Sequence, residues 1–243
     1  LMNTLLDVKN LHVQLAGNEV LREVSIAVQP GKLVCLVGRN GAGKTTTLRT
    51  IMGYQAAQRG EILWKGQSIK GMSTHRVAAL GLGYTPEGSD VFGDLTVEDN
   101  IALPTWTRKT DKPAAERIEA AYTVFPKLLT YLHRGGHQLS GGERKMVSIG
   151  RALALDPELL LLDEAFEGLS PAILPVISDG LKRILAQNRG VLLAESNFYH
   201  LPRFADRIYV IERGEIVFAG TLDEVERDAA VMKIIKGVDE VVA

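Results

Sequence analysis

The sequence predicts an α/β fold with a helical subdomain inserted into it, and three observations carry that prediction. Residues 33–37 form a continuous apolar run that ends at a glycine cluster and is followed by a helix-like stretch. A buried strand, a Gly-rich turn and a helix in that order make half of a βαβ unit. Strand-like runs vanish between about residues 90 and 154 and return afterwards, within a 243-residue chain long enough for one large domain and an insertion.

Taken in order, residues 5–15 alternate loosely and read as a strand, and residues 20–28 as a second one that stops at the turn signal Pro30-Gly31. Residues 33–37 carry β-branched Val34 and Val37, and residues 44–52 read as the following helix. Residues 61–64 and 82–85 look like short strands around a helix at 74–80. Helices are expected at 97–102, 113–124 and 142–155, the last stopped by Asp156-Pro157 because proline lacks an N–H and disfavours helix before it. Strands return at 159–163, 191–194, 207–212 and 215–219. Ser170-Pro171 reads as an N-cap followed by proline at the first helical position, which leaves Pro175 calling for either a later start or a kink. Residues 221–243 read as a pair of short helices closing the fold. The whole chain, 1–243, is thus expected to be a single domain. Residues 1–88 and 155–220 form its core, 89–154 the helical subdomain and 221–243 the C-terminal helical segment.

Composition narrows the classes of function. A net charge of −1 gives no overall pointer to nucleic acid or an anionic membrane surface. The lone cysteine, Cys35, rules out an intrachain disulfide and reads as a buried thiol suited to the reducing cytosol. No apolar stretch approaches the ~20 residues that cross a bilayer. Asp7 and Lys9 precede any long apolar core, so no secretory signal is expected. A membrane role would therefore come through a partner. His12, His75, His133 and His137 have no metal-ligand spacing and read as solvated or structural.

The strongest chemical signal is Gly38-Arg39-Asn40-Gly41-Ala42-Gly43-Lys44-Thr45, which fits G-x-x-x-x-G-K-[ST]. Its glycines let the backbone curl so that successive N–H groups face phosphate oxygens, and the next helix adds its positive end. Lys44 would reach the β- and γ-phosphates of ATP, and the Thr45 hydroxyl would ligate Mg²⁺, with Thr46 beside it in the nucleotide site.

A second signal is the apolar run 159–162 ending in Asp163-Glu164. Alone, this would be an ordinary strand end with a solvated acid pair. Beside a phosphate-binding loop, Asp163 would hold Mg²⁺ and Glu164 would orient the attacking water as general base. A third signal, Leu139-Ser140-Gly141-Gly142-Glu143, opens a long helix. Ser140 can cap it, and two glycines leave backbone N–H groups bare, making a second phosphate-binding helix terminus. One nucleotide does not need both within one subunit. A two-fold dimer, with each nucleotide between the loop of one subunit and the Ser-Gly-Gly helix of the other, uses both.

These residues resemble those of ABC transporter ATPases over nearly the whole chain. Residues 38–45 match Walker A, 159–164 Walker B and 139–143 the LSGGQ-type signature. Glu167-Gly168-Leu169-Ser170-Pro171 matches the D-loop. Tyr84-Thr85-Pro86-Glu87-Gly88, Val91-Phe92 and residues 95–100 match the Q-loop and the helix after it. The resemblance implies a P-loop NTPase fold with a RecA-like core on a mixed sheet, plus an antiparallel β subdomain and the inserted helical subdomain. It implies an ATPase using ATP and Mg²⁺, paired head-to-tail with a second ABC ATPase. Such a protein would sit on the cytoplasmic face of the membrane through permease subunits, with no nucleic-acid partner. The Pro86-Glu87-Gly88 stretch and the Glu-Gly-Leu-Ser-Pro D-loop are similar to those of importers for branched-chain or other hydrophobic amino acids, amides and urea. Those importers add an extracytoplasmic substrate-binding protein.

Three positions depart from the family pattern. Leu15 stands where an aromatic stacks on adenine, and it can pack on the ring but not stack. Glu87 replaces the Q-loop glutamine, offering a third Mg²⁺ ligand at the cost of negative charge beside the γ-phosphate. Ser196 occupies the position of the switch histidine; it is short and its hydroxyl cannot become cationic, while His200 nearby falls within an expected helix. Two alternatives to the importer motor follow: an ATP-sensing partner subunit with weak hydrolysis of its own, or a soluble non-transport ABC ATPase. The second usually carries two cassettes or long coiled-coil insertions, and this chain has neither.

Overall fold

Two sheets pack around helices on a layered core, in a computed structural model that describes residues 4–108 and 110–237. The chain opens with β1 (Leu6–Leu15), β2 (Asn18–Val28) and β3 (Leu33–Val37), then α1 (Lys44–Ile51). Next come β4 (Arg59–Trp64), β5 (Gln67–Ser68), α2 (Thr74–Ala79) and β6 (Leu82–Thr85). The helical segment holds α3 (Val97–Thr107), α4 (Ala114–Val124) and α5 (Gly141–Leu153). After it follow β7 (Leu159–Asp163), α6 (Leu174–Ala186), β8 (Gly190–Glu195), β9 (Arg207–Glu212) and β10 (Glu215–Gly220), then α7 (Leu222–Arg227) and α8 (Ala229–Lys236). Residues 238–243 of the expected C-terminal helical pair lie outside the described residues.

The larger sheet has six strands in the order β10-β9-β3-β8-β7-β6, parallel except for β10 at its edge. The smaller is antiparallel, β2-β1-β4-β5. The continuous apolar strands are explained by burial on both faces. In β3, Val34 and Leu36 face the cluster shared with α1 and the antiparallel sheet, while Leu33, Cys35 and Val37 face the cluster under α5 and α6. Burial also pushes the Cys35 thiol far up, so it stays protonated in the core.

Helix ends follow local chemistry. Thr96 and Ser140 each cap a helix reciprocally, with Asp99 and Glu143 three residues on. Gly43 precedes α1 with φ 113°, and a Cβ there would sit 2.6 Å from Leu21 Cδ2, so only glycine fits between the loop and β2. The expected N-cap at Ser170 is not one. Ser170 closes a turn by accepting from the Ile173 N–H at 2.9 Å, and α6 begins only after Ile173. The late start puts Pro175 in the first turn, where its missing N–H has no intrahelical partner to lose. Between residues 89 and 154 the described helices α3, α4 and α5 pack on one another around Ile101, Ala121, Leu128 and Ile149. Among the described residues, no helix is long and apolar enough to cross a membrane.

Candidate active site

The loop between β3 and α1 wraps a buried lysine. Lys44 Nζ donates to the carbonyls of Gly38 at 2.8 Å and Arg39 at 3.3 Å, and pairs with Glu164 Oε1 at 3.2 Å. A cleft of about 310 Å³ opens beside it, lined by Val20, Asn40, Lys44, Thr45, Glu87 and Glu164, with Gly41, Gly43 and Thr46. Space beside Gly41 is open, so its backbone is accessible to a ligand. Arg39 and Ala42 face a second hollow, also with Gly38, closed by Ile211, Ile234 and Ile235.

Strand ends bring the oxygen donors together. Thr45 Oγ1 donates to Asp163 Oδ1 at 3.1 Å, and the Tyr84 hydroxyl donates to Asp163 Oδ2 at 3.3 Å. Burial raises the Asp163 carboxyl, partly offset by these two hydrogen bonds. Tyr84, buried beside that carboxylate, is pushed up to about 12. Glu87 lies exposed on the rim of the same cleft. Hydroxyl and carboxylate oxygens alone, few in number and set at the edge of an open cleft, fit Mg²⁺, which retains waters and takes phosphate oxygens as further ligands.

Glu164 is held at every polar atom. Its backbone adopts φ 49°, a region that costs a non-glycine residue about 1–3 kcal/mol and persists only where the surroundings enforce it. Its N–H donates to Ala194 O at 2.9 Å, and its carbonyl accepts from Lys145 Nζ at 2.9 Å. Glu164 Oε2 accepts from the Ser196 N–H at 2.9 Å and the Ser196 hydroxyl at 3.1 Å. Parallel pairing of Asp163 with Ala194 sets Glu195 beside Glu164. Burial, with Glu164 close by, holds the Glu195 carboxyl well above the usual range; one oxygen accepts from the Phe166 N–H at 2.9 Å.

Other expected residues sit elsewhere. Ser140, Gly141, Gly142 and Glu143 start α5 and do not line the P-loop cleft. The Ser140 N–H holds the Glu143 carboxyl below its ordinary range. Gly141 is open, but Gly142 is not bare: a Cβ there would lie 2.9 Å from Ile173, so this glycine serves close packing. Leu15 packs half-buried on the core of the antiparallel sheet, and Val20 instead lines the cleft. The Ser196 hydroxyl is engaged by the Glu164 carboxylate rather than free for a phosphate.

Four participants were not read from sequence: Val20, Tyr84, Lys145 and Glu195. For Glu195 a signal existed, an acid closing an otherwise apolar run at 191–195. Lys145 gave none, since a lysine on a helix reads as a solvated face.

The ABC transporter family pattern matches residues 21–167. The chain belongs to the ABC transporter family. Consistent with that, it is 37% identical over 204 residues to BraG of Pseudomonas aeruginosa, a high-affinity branched-chain amino acid transport ATP-binding protein, covering 84% of this chain and 87% of BraG. It is 34% identical to the lipopolysaccharide export system ATP-binding protein LptB of Acidithiobacillus ferridurans, covering 97% and 98% of the two chains. The ADP conformation of an ATP-binding cassette of an ABC transporter superposes with a TM-score of 0.84 at 25% identity, over 96% of this chain and 99% of that one. This protein is accordingly an ABC ATPase, and its two-sheet P-loop core is the fold of those cassettes.

Proposed function

We propose that this chain hydrolyses Mg-ATP to drive an importer of branched-chain or other hydrophobic amino acids, or of related small amides. The observation that carries the hydrolytic part is the convergence of Lys44, Thr45 and Glu164 on one cleft, with Asp163 hydrogen-bonded to Thr45 directly behind it. The loop 38–45 binds the phosphates. Lys44 exchanges its carbonyl and carboxylate contacts for phosphate oxygens, which frees Glu164 Oε1. Thr45 and Asp163, with Glu87 near, would hold Mg²⁺, which would supply charge neutralisation at the phosphates. Glu164 then orients and deprotonates the attacking water.

The subunit works head-to-tail with a second ABC ATPase. Ser140, Gly141, Gly142 and Glu143 complete the partner's nucleotide site, because the capped α5 terminus is exposed and turned to no nucleotide of its own. Permease subunits hold the pair at the cytoplasmic face of the membrane, and an extracytoplasmic binding protein delivers the solute. Likeness to BraG and the Glu167–Pro171 D-loop wording support the amino-acid substrate.

A second reading, lipid export, is favoured by the LptB likeness over nearly the full chain. Deleting the gene and measuring uptake of labelled leucine separates the two. Uptake lost on deletion, restored by the parent and not by Glu164→Gln, supports import. Undiminished uptake of leucine and related amino acids, with a lipid-export defect, selects the second reading.

A further inference from the structure

A lysine outside every motif reaches into the catalytic centre. Lys145 lies on α5 and is 4% exposed. Its ammonium donates to the carbonyls of Glu87 and Glu164, each at 2.9 Å. It therefore bridges the loop bearing Glu87 and the peptide of Glu164, from the helix that Ser140 caps. Burying an ammonium is costly unless it is fully used. Burial indeed lowers the Lys145 pKa, and Glu195, Asp163, Glu87 and Glu167 oppose that fall.

Glu164 gains from such a tie. With φ 49° its peptide is strained, and strain of this kind survives only where neighbours over-determine it. Three hydrogen bonds pin that residue's main chain: its N–H donates to Ala194 O, and its carbonyl accepts from Lys145 Nζ at 2.9 Å and, more weakly, from the Glu167 N–H at 3.4 Å. A second point on the same helix grips the same loop. Arg151 donates to the carbonyls of Asp90 at 2.7 Å and Ser89 at 3.2 Å. Thus α5 holds residues 87–90 at two places two turns apart, and only the Lys145 end also reaches Glu164.

We infer that Lys145 is a positioning residue for ATP hydrolysis, fixing the Glu164 peptide against the Glu87 loop so that the carboxylate meets the attacking water. This rests on the proposed role of Glu164 as general base. Lys145 touches no nucleotide in that role, so it should govern kcat and leave ATP affinity alone. A misplacement on the order of 1 Å costs ~10²-fold in rate.

The test uses the complex purified from its own membranes through a tag on this chain. Lys145→Met keeps the stem and removes the donors; Lys145→Arg keeps charge and donors. Expected for Met is a fall in kcat of about 10- to 100-fold, with KM for ATP and equilibrium ATP affinity within about threefold. Hydrogen exchange at residues 163–167 should quicken, and Arg should recover most of the rate. If the Met variant does not fold, Lys145→Gln is read by the same criteria. Turnover within about twofold of the parent overturns the inference. So does a loss of rate matched by an equal loss of ATP affinity, which marks a merely structural residue. Glu164→Gln in the same preparation separates the two ideas. If it turns over normally, the general-base reading fails; if it is inert while the Lys145 variants are normal, only the positioning inference fails.

Discussion

Ser196 grips one carboxylate oxygen of Glu164 twice, through its N–H at 2.9 Å and its hydroxyl at 3.1 Å. Lys44 holds the other oxygen at 3.2 Å. The side chain expected at the γ-phosphate is here engaged with Glu164, where it would aim the proposed base. Ser196→Ala removes one of three hydrogen bonds to the charged group and keeps the main-chain donor. A lost bond of that kind is worth about 1.5–3 kcal/mol, so turnover should fall by roughly 10- to 150-fold. Ser196→His offers a ring nitrogen to the γ-phosphate and should raise turnover at this site. A rate below that of the parent would show that the hydroxyl's hold on Glu164 matters more.

Glu164→Gln tests the base directly. The amide keeps the shape but cannot accept the water's proton, so hydrolysis should fall by ~10²-fold or more while ATP still binds. Single-turnover kinetics on the complex gives the rate, and near-normal turnover would remove Glu164 from the role.

Lys44→Ala should leave the fold intact and weaken Mg-ATP binding severely, since the ammonium is the loop's only cationic side chain within the cleft. Calorimetric titration reads this, and an unchanged affinity would contradict it. The variant also frees Glu164 Oε1 from its 3.2 Å ion pair.

ATP-dependent association checks the dimer. In Glu164→Gln, light scattering should show dimers, or heterodimers with the sister ATPase, only when ATP is present. Ser140→Arg places a bulky side chain on the exposed α5 terminus and should abolish them. A monomer under every condition, sister subunit included, would count against the head-to-tail dimer.

Asp156 predicts an acid limit to stability. Burial alone would raise its carboxyl, but hydrogen bonds and charge from Arg189, at 2.8 Å, and Lys112, at 3.0 Å, hold it below the ordinary value. A group depressed in the folded state contributes stability above its unfolded pKa, about 3.9, and loses it as pH falls through the folded value. Asp156→Asn should therefore lower Tm at neutral pH, where it leaves Arg189 unpaired, and the two Tm curves should converge in acid. Parallel curves at every pH would refute this.

Much of the site was legible along the chain because its donors are consecutive. The run 38–45 curls on itself, and Asp163-Glu164 ends a strand, so local order alone assembles the phosphate loop and names the acids. Helix and strand positions followed for the same reason, periodicity being a local property. The start of α6 was harder, since two prolines, Pro171 and Pro175, compete for one first turn and only packing selects between them.

What only the tertiary structure decided is which distant groups serve Glu164. Lys145 lies 19 residues before it and Ser196 32 after, and parallel pairing of β7 with β8 puts Glu195 at its side. Sequence by itself determined that a glycine-rich loop at residues 38–45 joins a buried strand to a helix and that a second apolar strand ends in Asp163-Glu164. It did not determine how the Glu164 carboxylate is held. The hydrogen bonds that fix it join segments brought together by the sheet and by the burial of α5, and no spacing along the chain encodes a contact made across strands.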